Sequence, residues 1–222
     1  MALTLYLHPL ASFCHKVLIP LYQNGTLFTP VTVDLSDPVQ AEHLRSIWAV
    51  GKFPVLRDDT RGQTVPETSI IIDYLDRNYP GPVPMIPADP DAALEARLWD
   101  RFFDLYIHDP MQRIVADVLR PADHRDPHGV KEARDKLQMA YAMLEERMAD
   151  RAWAAGDAFS IADCAASPAL FYALIIEPFA GPNTTAYFER LLARPAFARV
   201  LEEAKPYFQY FPFRNLMPQR FL

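Results

Sequence analysis

The stretch LTLYLHPLASFCHKVLIPLYQNG, residues 3–25, decides how the rest of the chain is read. LTLYL, residues 3–7, has the length and apolar content of a buried strand. Residues 13–24 have helical spacing and stop at Gly25, a residue suited to the left-handed turn that ends a helix. Between them, Ser12, Cys14, His15 and Lys16 crowd a strand-to-helix turn. Such a cluster fits a nucleophile site, a redox site or an ordinary helix cap.

Working outward, residues 27–34 read as a second strand, with Pro30 limiting its first half. Residues 38–48 fit a short helix. FPVL (53–56) and QTVP (63–66) flank DDTRG and read as a hairpin, and TSIIIDYLDR (68–77) has helical spacing. The order βαβ(α)ββα implies a right-handed parallel crossover followed by antiparallel strands, an α/β unit with a mixed four-stranded sheet. PGPVPMIPADP, residues 80–90, holds five prolines and reads as a stiff linker. Beyond it no strand alternation occurs. Residues 91–118 carry Leu94, Leu98, Phe102 and Leu105 at helical spacing, and 129–150 carry Val130, Leu137, Tyr141, Leu144 and Met148. Further helices fit 161–176, 184–193 and 196–204, so this part is an all-α bundle. The expected division is 1–80, a linker 81–90, and 91–222.

With 222 residues the chain is long enough for a sizeable core. Half the residues are hydrophobic and the net charge is −6, so neither nucleic acid nor an anionic membrane is an expected partner. No apolar run approaches the roughly 18 residues that span a bilayer. The N-terminal residues lack the basic region and the small-residue cleavage site expected of a signal peptide. Two cysteines far apart make no disulfide framework. A cytoplasmic protein is expected.

Three features taken together carry a resemblance: the strand-to-helix turn, VGKFPVL (50–56) and ETSIIIDYLD (67–76). With FSIADCAASPAL (159–170) in the second part, where Ser160 and Asp163 read as a capping-box S-x-x-D at a helix start, the chain resembles the cytosolic glutathione transferases over essentially its whole length. VGKFPVL is similar to the family's N-P-x-G-K-V-P-x-L, with Ala49-Val50 where Asn-Pro is common. ETSIIIDYLD is similar to E-S-x-A-I-x-x-Y-L. The resemblance implies a thioredoxin-like N-terminal domain, an all-helical C-terminal domain, and a homodimer. It implies glutathione as cosubstrate, no permanently bound cofactor, and an apolar electrophile as second substrate.

It also implies roles. Phe53-Pro54 would be a cis peptide, turning the Phe53 backbone outward to pair with glutathione as an added strand. Glu67 would meet the γ-glutamyl ammonium. Thr68, where the family has Ser, would bind the α-carboxylate together with a helix N-terminus; on its own chemistry Thr68 is also a helix cap. Lys52 and His43 are candidates for the glycyl carboxylate. Leu10, Phe102, Phe103, Tyr106, Ile107 and Met111 would line the acceptor site. The aromatic tail, with Tyr207, Phe208, Tyr210, Phe211, Phe213 and Phe221, has to pack on the body, cover the cleft or meet a partner.

The sulfur of glutathione has to be held as thiolate, because the thiolate is the nucleophile. Serine-type classes read S-S-x-C-x-[RK]-V, and the first serine is the thiolate partner. Anchored on Lys16-Val17, that position is Ala11, with neither hydroxyl nor thiol. Ser12, one residue on, either takes over the hydroxyl role, or caps the helix, or leaves the thiolate to the backbone N–H groups of Ser12 and Phe13. Cys14 would permit disulfide exchange if reactive, but reads better as a small core thiol. His15 and Lys16 are expected to face solvent, or Lys16 a partner subunit. His108-Asp109 precede the helix-breaking Pro110, and no Ser-His-Asp or paired-carboxylate scheme stands out. His124 and His128 flank RDP without a third ligand, so no metal site is expected.

Overall fold

The computed structural model describes residues 2–222. Four strands, β1 (Leu3–Leu7), β2 (Thr29–Thr32), β3 (Val55–Asp58) and β4 (Gln63–Pro66), form one sheet in the order β2-β1-β3-β4. β1 pairs with β2 in parallel (Tyr6 opposite Val31) and with β3 antiparallel (Leu5 opposite Leu56). Alternation decides the central strand's faces: Leu3, Leu5 and Leu7 are buried and Thr4 and Tyr6 half-buried. Both expected antiparallel strands form, though β3 starts two residues later than the FPVL reading placed it.

Helix α1 (Ser12–Gln23) crosses from β1 to β2, and Gly25, at φ +63°, supplies its left-handed stop. The Thr26 N–H reaches back to the Leu21 carbonyl at 2.9 Å. α2 (Pro38–Ile47) starts on the Asp37 side chain, which accepts from the Val39 N–H. α3 (Thr68–Asn78) follows β4 and buries Ile71, Ile72 and Leu75.

The second half is helical: α4 (Pro90–Phe102), a π-helical turn (Phe103–His108), α5 (Asp109–Leu119), α6 (Pro127–Arg147), α7 (Ile161–Ile176), α8 (Pro182–Leu192) and α9 (Pro195–Ala204). The expected single helix over 91–118 is thus one rod in three pieces. The Asp109 N–H bonds the Asp104 carbonyl, five residues back, and the chain then meets Pro110, which has no N–H to offer. One extra residue rotates everything beyond it by about 100°. On α4 the apolar spacing misleads. Leu94 and Leu98 are 68% and 63% exposed, and Leu105 also faces out. Ala93, Ala96 and Phe102 pack inward.

α7 is buried almost throughout and forms the axis of the bundle. Its start is the expected capping box, with Ser160 and Asp163 exchanging bonds. Asp163 also accepts from the Ala154 N–H at 3.0 Å and the Tyr187 hydroxyl at 2.6 Å, which satisfies a fully buried carboxylate. A single apolar cluster runs from β1 and α1 through α7 to Phe208, Phe211 and Phe221. The aromatic tail therefore packs on the body.

Candidate active site

Two clefts meet beside the start of α1. An apolar one of about 650 Å³ is lined by Leu10, Ala11, Ser12, Met111, Val115 and Tyr172, with Tyr210, Phe211 and Pro212 of the tail across it. A polar one of about 730 Å³ is lined by Pro54, Glu67, Thr68, Ser69, Arg101 and Asp104. Phe13, Lys52, Phe53 and Asp109 border both.

The polar cleft is built by the entry to α3. The Phe53-Pro54 peptide is cis, and the β1–β3 ladder begins only at Val55, so Phe53 stays outside it. Glu67 holds φ +67°, a conformation uncommon for a residue with a side chain, and its carboxylate is exposed. Glu67, not Thr68, is the N-cap of α3, and no side chain caps this helix. Thr68 is the first helical residue, buried and part of the cleft wall. The first N–H groups of α3 are therefore open toward an anion. Lys52 reaches both clefts, but His43 does not reach either. It lies on α2 in a separate shallow depression, its ring against the edge of Tyr6. That corrects the reading of His43: α2 packs its Leu44 with Tyr6 of β1 and Val55 of β3, away from both clefts.

Under the polar cleft lies a buried ionic cluster. Lys16 is fully buried, 2.6 Å from Asp100 and 2.8 Å from Asp104, and donates to the Ser69 hydroxyl at 3.0 Å. Ser69 donates to Asp100 at 2.6 Å, and half-exposed Arg101 reaches Asp104 at 3.1 Å. Burial raises the Asp104 pKa against the pull of Lys16. The expectation of a solvent-facing Lys16 fails because the helical half covers that face of α1. Spacing alone hid the carboxylates, which sit four apart on α4 and its π turn.

The apolar cleft is built on the turn before α1. His15, also expected outside, is fully buried. Its Nε2–H donates to the Pro9 carbonyl at 2.6 Å, and the Tyr172 hydroxyl donates to the Leu10 carbonyl at 2.8 Å. Desolvation lowers the His15 pKa to about 4, so the ring is neutral. Ala11 is the N-cap of α1 and offers no side-chain bond. Its carbonyl takes the Cys14 and His15 N–H groups, which leaves those of Ser12 and Phe13 open. The Ser12 Oγ lies 2.5 Å from His108 Nε2 and accepts from the Gln112 side chain at 2.8 Å. The His108 ring stacks on Phe13 with centroids 3.7 Å apart. Burial, helped by Lys16 and His15, holds the His108 pKa well below the usual imidazole range.

Cys14 faces the core, fully buried, and desolvation pushes its thiol up to about 12. It is no candidate for catalysis. Among the expected acceptor residues, Leu10 and Met111 line the apolar cleft. Phe102, Phe103 and Ile107 are core instead, and Tyr106 points outward beneath Lys136. Phe102 and Phe103 pack inward before the π turn shifts the helix phase, and beyond it a different face meets the cleft. The residues that replace them, Gln112, Val115 and Leu119, follow the new phase. His8 was also overlooked. It lines the cleft, stacks on Phe53 at 6.2 Å, meets the edge of Tyr207 at 5.1 Å, and accepts from the Leu10 N–H through Nδ1.

This arrangement offers two uncapped helix ends and an apolar chamber, a design suited to a peptide-like anion and its thiol. The family models agree. The glutathione S-transferase N-terminal domain matches residues 5–83 and the C-terminal domain residues 105–195. The chain belongs to the cytosolic glutathione transferase superfamily. The stringent starvation protein A homolog of Haemophilus influenzae is 28% identical to it, over 94% of this chain and 91% of its own. Glutathione transferase GST 23 of Zea mays is 27% identical over 80% of this chain and 75% of its own. Among solved structures, a glutathione S-transferase of Methylobacterium radiotolerans in complex with glutathione sulfonate superposes with a TM-score of 0.78. It is 29% identical, over 89% of this chain and 93% of that one.

Proposed function

We propose that the protein is a glutathione transferase that holds glutathione as thiolate and adds it to an apolar electrophile. The observation that carries this reading is the pair of uncapped helix N-termini, α3 and α1, opening on two clefts that share Phe13, Lys52 and Phe53. Glutathione would run along the cis Phe53-Pro54 segment, residues 1–80 supplying its site. Glu67 would take the glutamyl ammonium, and Thr68 with the α3 N–H groups its carboxylate. Lys52, which borders both clefts, would take the glycyl carboxylate. The sulfur would lie at Ser12, where the hydroxyl and the open Ser12 and Phe13 N–H groups favour the charged form. Residues 91–222 would supply the acceptor wall, and the tail would cover it.

The protein would act in the cytoplasm as a homodimer. Leu94, Leu98 and Leu105 on the helical half, with Val50 and Ile70 on the other, form exposed apolar surface suited to a partner copy. No helix among the described residues is long and apolar enough to cross a membrane. The deciding experiment measures turnover of glutathione with an aromatic halide electrophile; glutathione binding without turnover on a broad panel sinks the enzymatic reading.

That outcome defines the second reading, a non-catalytic ligand-binding member. It is favoured by Ala11 at the position of the family's thiolate partner. The disulfide-exchange reading has lost its thiol, because Cys14 is buried and protonated.

A further inference from the structure

The Ser12 hydroxyl has two lone pairs and one proton. The Gln112 amide nitrogen fills one lone pair from 2.8 Å. What His108 Nε2 does at 2.5 Å depends on which ring nitrogen carries the proton. The ring is fully buried, and its Nδ1 has no partner. A proton on Nδ1 would leave a buried N–H donor orphaned. A proton on Nε2 leaves only an unused lone pair there. Orphaned buried N–H groups are the rarer fault in folded proteins. The Nε2–H therefore donates to Ser12, and both lone pairs of the oxygen are filled. The hydroxyl proton is left to point where neither side chain sits, and Ser12 forms part of the apolar cleft wall. Two accepted bonds also polarise the O–H and strengthen it as a donor.

We propose that His108 and Gln112 are positioning residues that fill the lone pairs of Ser12 and turn its proton toward the sulfur of bound glutathione. The inference rests on the reading of Ser12 as the thiolate's hydroxyl partner. The two residues stand four apart, across the join between the π turn and α5, and so share one helix face. Phe13 stacks on the other side of the imidazole and keeps it from turning. The charged and titratable groups nearest this pair are Lys16 and His15 of α1, with Asp100 and Asp104 behind Lys16 and Asp109 next in the chain. Lys16 is committed to the two carboxylates and His15 to the Pro9 carbonyl, so neither competes for Ser12. In effect, the helical half sets a hydroxyl that belongs to the sheet half.

The test titrates the thiol of glutathione bound to the full-length protein, using the ultraviolet absorbance of the thiolate, with the pH profile of kcat/KM in parallel. Ser12→Ala should raise the midpoint by about one unit, roughly tenfold less thiolate at neutral pH. His108→Leu should raise it about half as far, roughly threefold less thiolate, with KM for glutathione changed by under about twofold. His108→Gln, whose amide can replace the Nε2–H, should restore the midpoint. Gln112→Met should raise it as well, and serves where His108→Leu fails to fold. A midpoint that falls or stays in both His108→Leu and Gln112→Met overturns the inference: His108 would then be taking the Ser12 proton. If Ser12→Ala leaves the midpoint in place, the reading of Ser12 fails together with the inference, and the backbone N–H groups hold the thiolate. If Ser12→Ala moves it and the two positioning variants do not, the inference alone fails.

Discussion

The two helix ends that face the clefts solve the same problem differently. The α3 end is open: Glu67 is exposed and no side chain caps the first N–H groups, although Arg101 and Asp104 of the helical half stand in the cleft wall. The α1 end is closed over. Ser12, His15 and Lys16 are all buried, and the helical half brings His108 and Gln112 to Ser12 and Asp100 and Asp104 to Lys16, while the Tyr172 hydroxyl ties down the Leu10 carbonyl. An anion can be met by backbone alone, because every helix begins with free N–H groups. Setting a single hydroxyl in direction takes side chains brought from elsewhere. The α1 end should therefore couple chemistry to folding, and the α3 end should govern affinity alone.

The largest expected effect lies beneath the α1 end. Lys16→Met leaves Asp100 and Asp104 facing each other in the core without their cation. It should destabilise the fold by roughly 3–5 kcal/mol, read as a lowered midpoint in chemical unfolding. A loss under about 1 kcal/mol would mean that the carboxylates are relieved by water or by Arg101.

Next comes pH. His15 and His108 are neutral in the fold, with pKa values held below the ordinary 6.5, His15 near 4. The unfolded chain takes up protons below about pH 6.5 that the folded chain refuses, so stability falls as pH drops from there toward 4. His15 alone should account for about 3 kcal/mol across that window. Denaturant unfolding at stepped pH measures it, and a His15→Phe variant with the same slope as the parent would refute the assignment.

At the α3 end the effects should be smaller and confined to binding. Thr68→Val removes one hydroxyl from a charged ligand group and should weaken glutathione affinity roughly tenfold with little change in kcat. Calorimetry decides, and a kcat loss as large as the affinity loss would blur the contrast between the two ends. The smallest effect belongs to His43→Ala. It should leave affinity within about twofold, because the residue faces another depression.

What the sequence disclosed follows the same division. The cis Phe53-Pro54 peptide came from the resemblance to the family, whereas the strands and helix α3 rest on local signals, alternation and helical spacing. The Ser160–Asp163 capping box was legible for the same reason. Lys16 and His15 were misread as exposed because only the docking of α4, the π turn and α7 buries them. Leu94 and Leu98 satisfied helical spacing yet face outward, since spacing identifies an apolar stripe and not what covers it. His108 and Gln112 were invisible for a geometrical reason. The π turn ahead of Pro110 shifts the helix phase, and nothing in an apolar pattern records one extra residue in a turn.

The α1 end is expected to hold the sulfur of glutathione as thiolate. The most direct measure is the titration of that thiol in the complex with the unmodified protein. The midpoint should lie at least about one unit below the 8.5 of an ordinary cysteine thiol. A midpoint at or above 8.5 would contradict the account and leave a protein that binds glutathione without activating it.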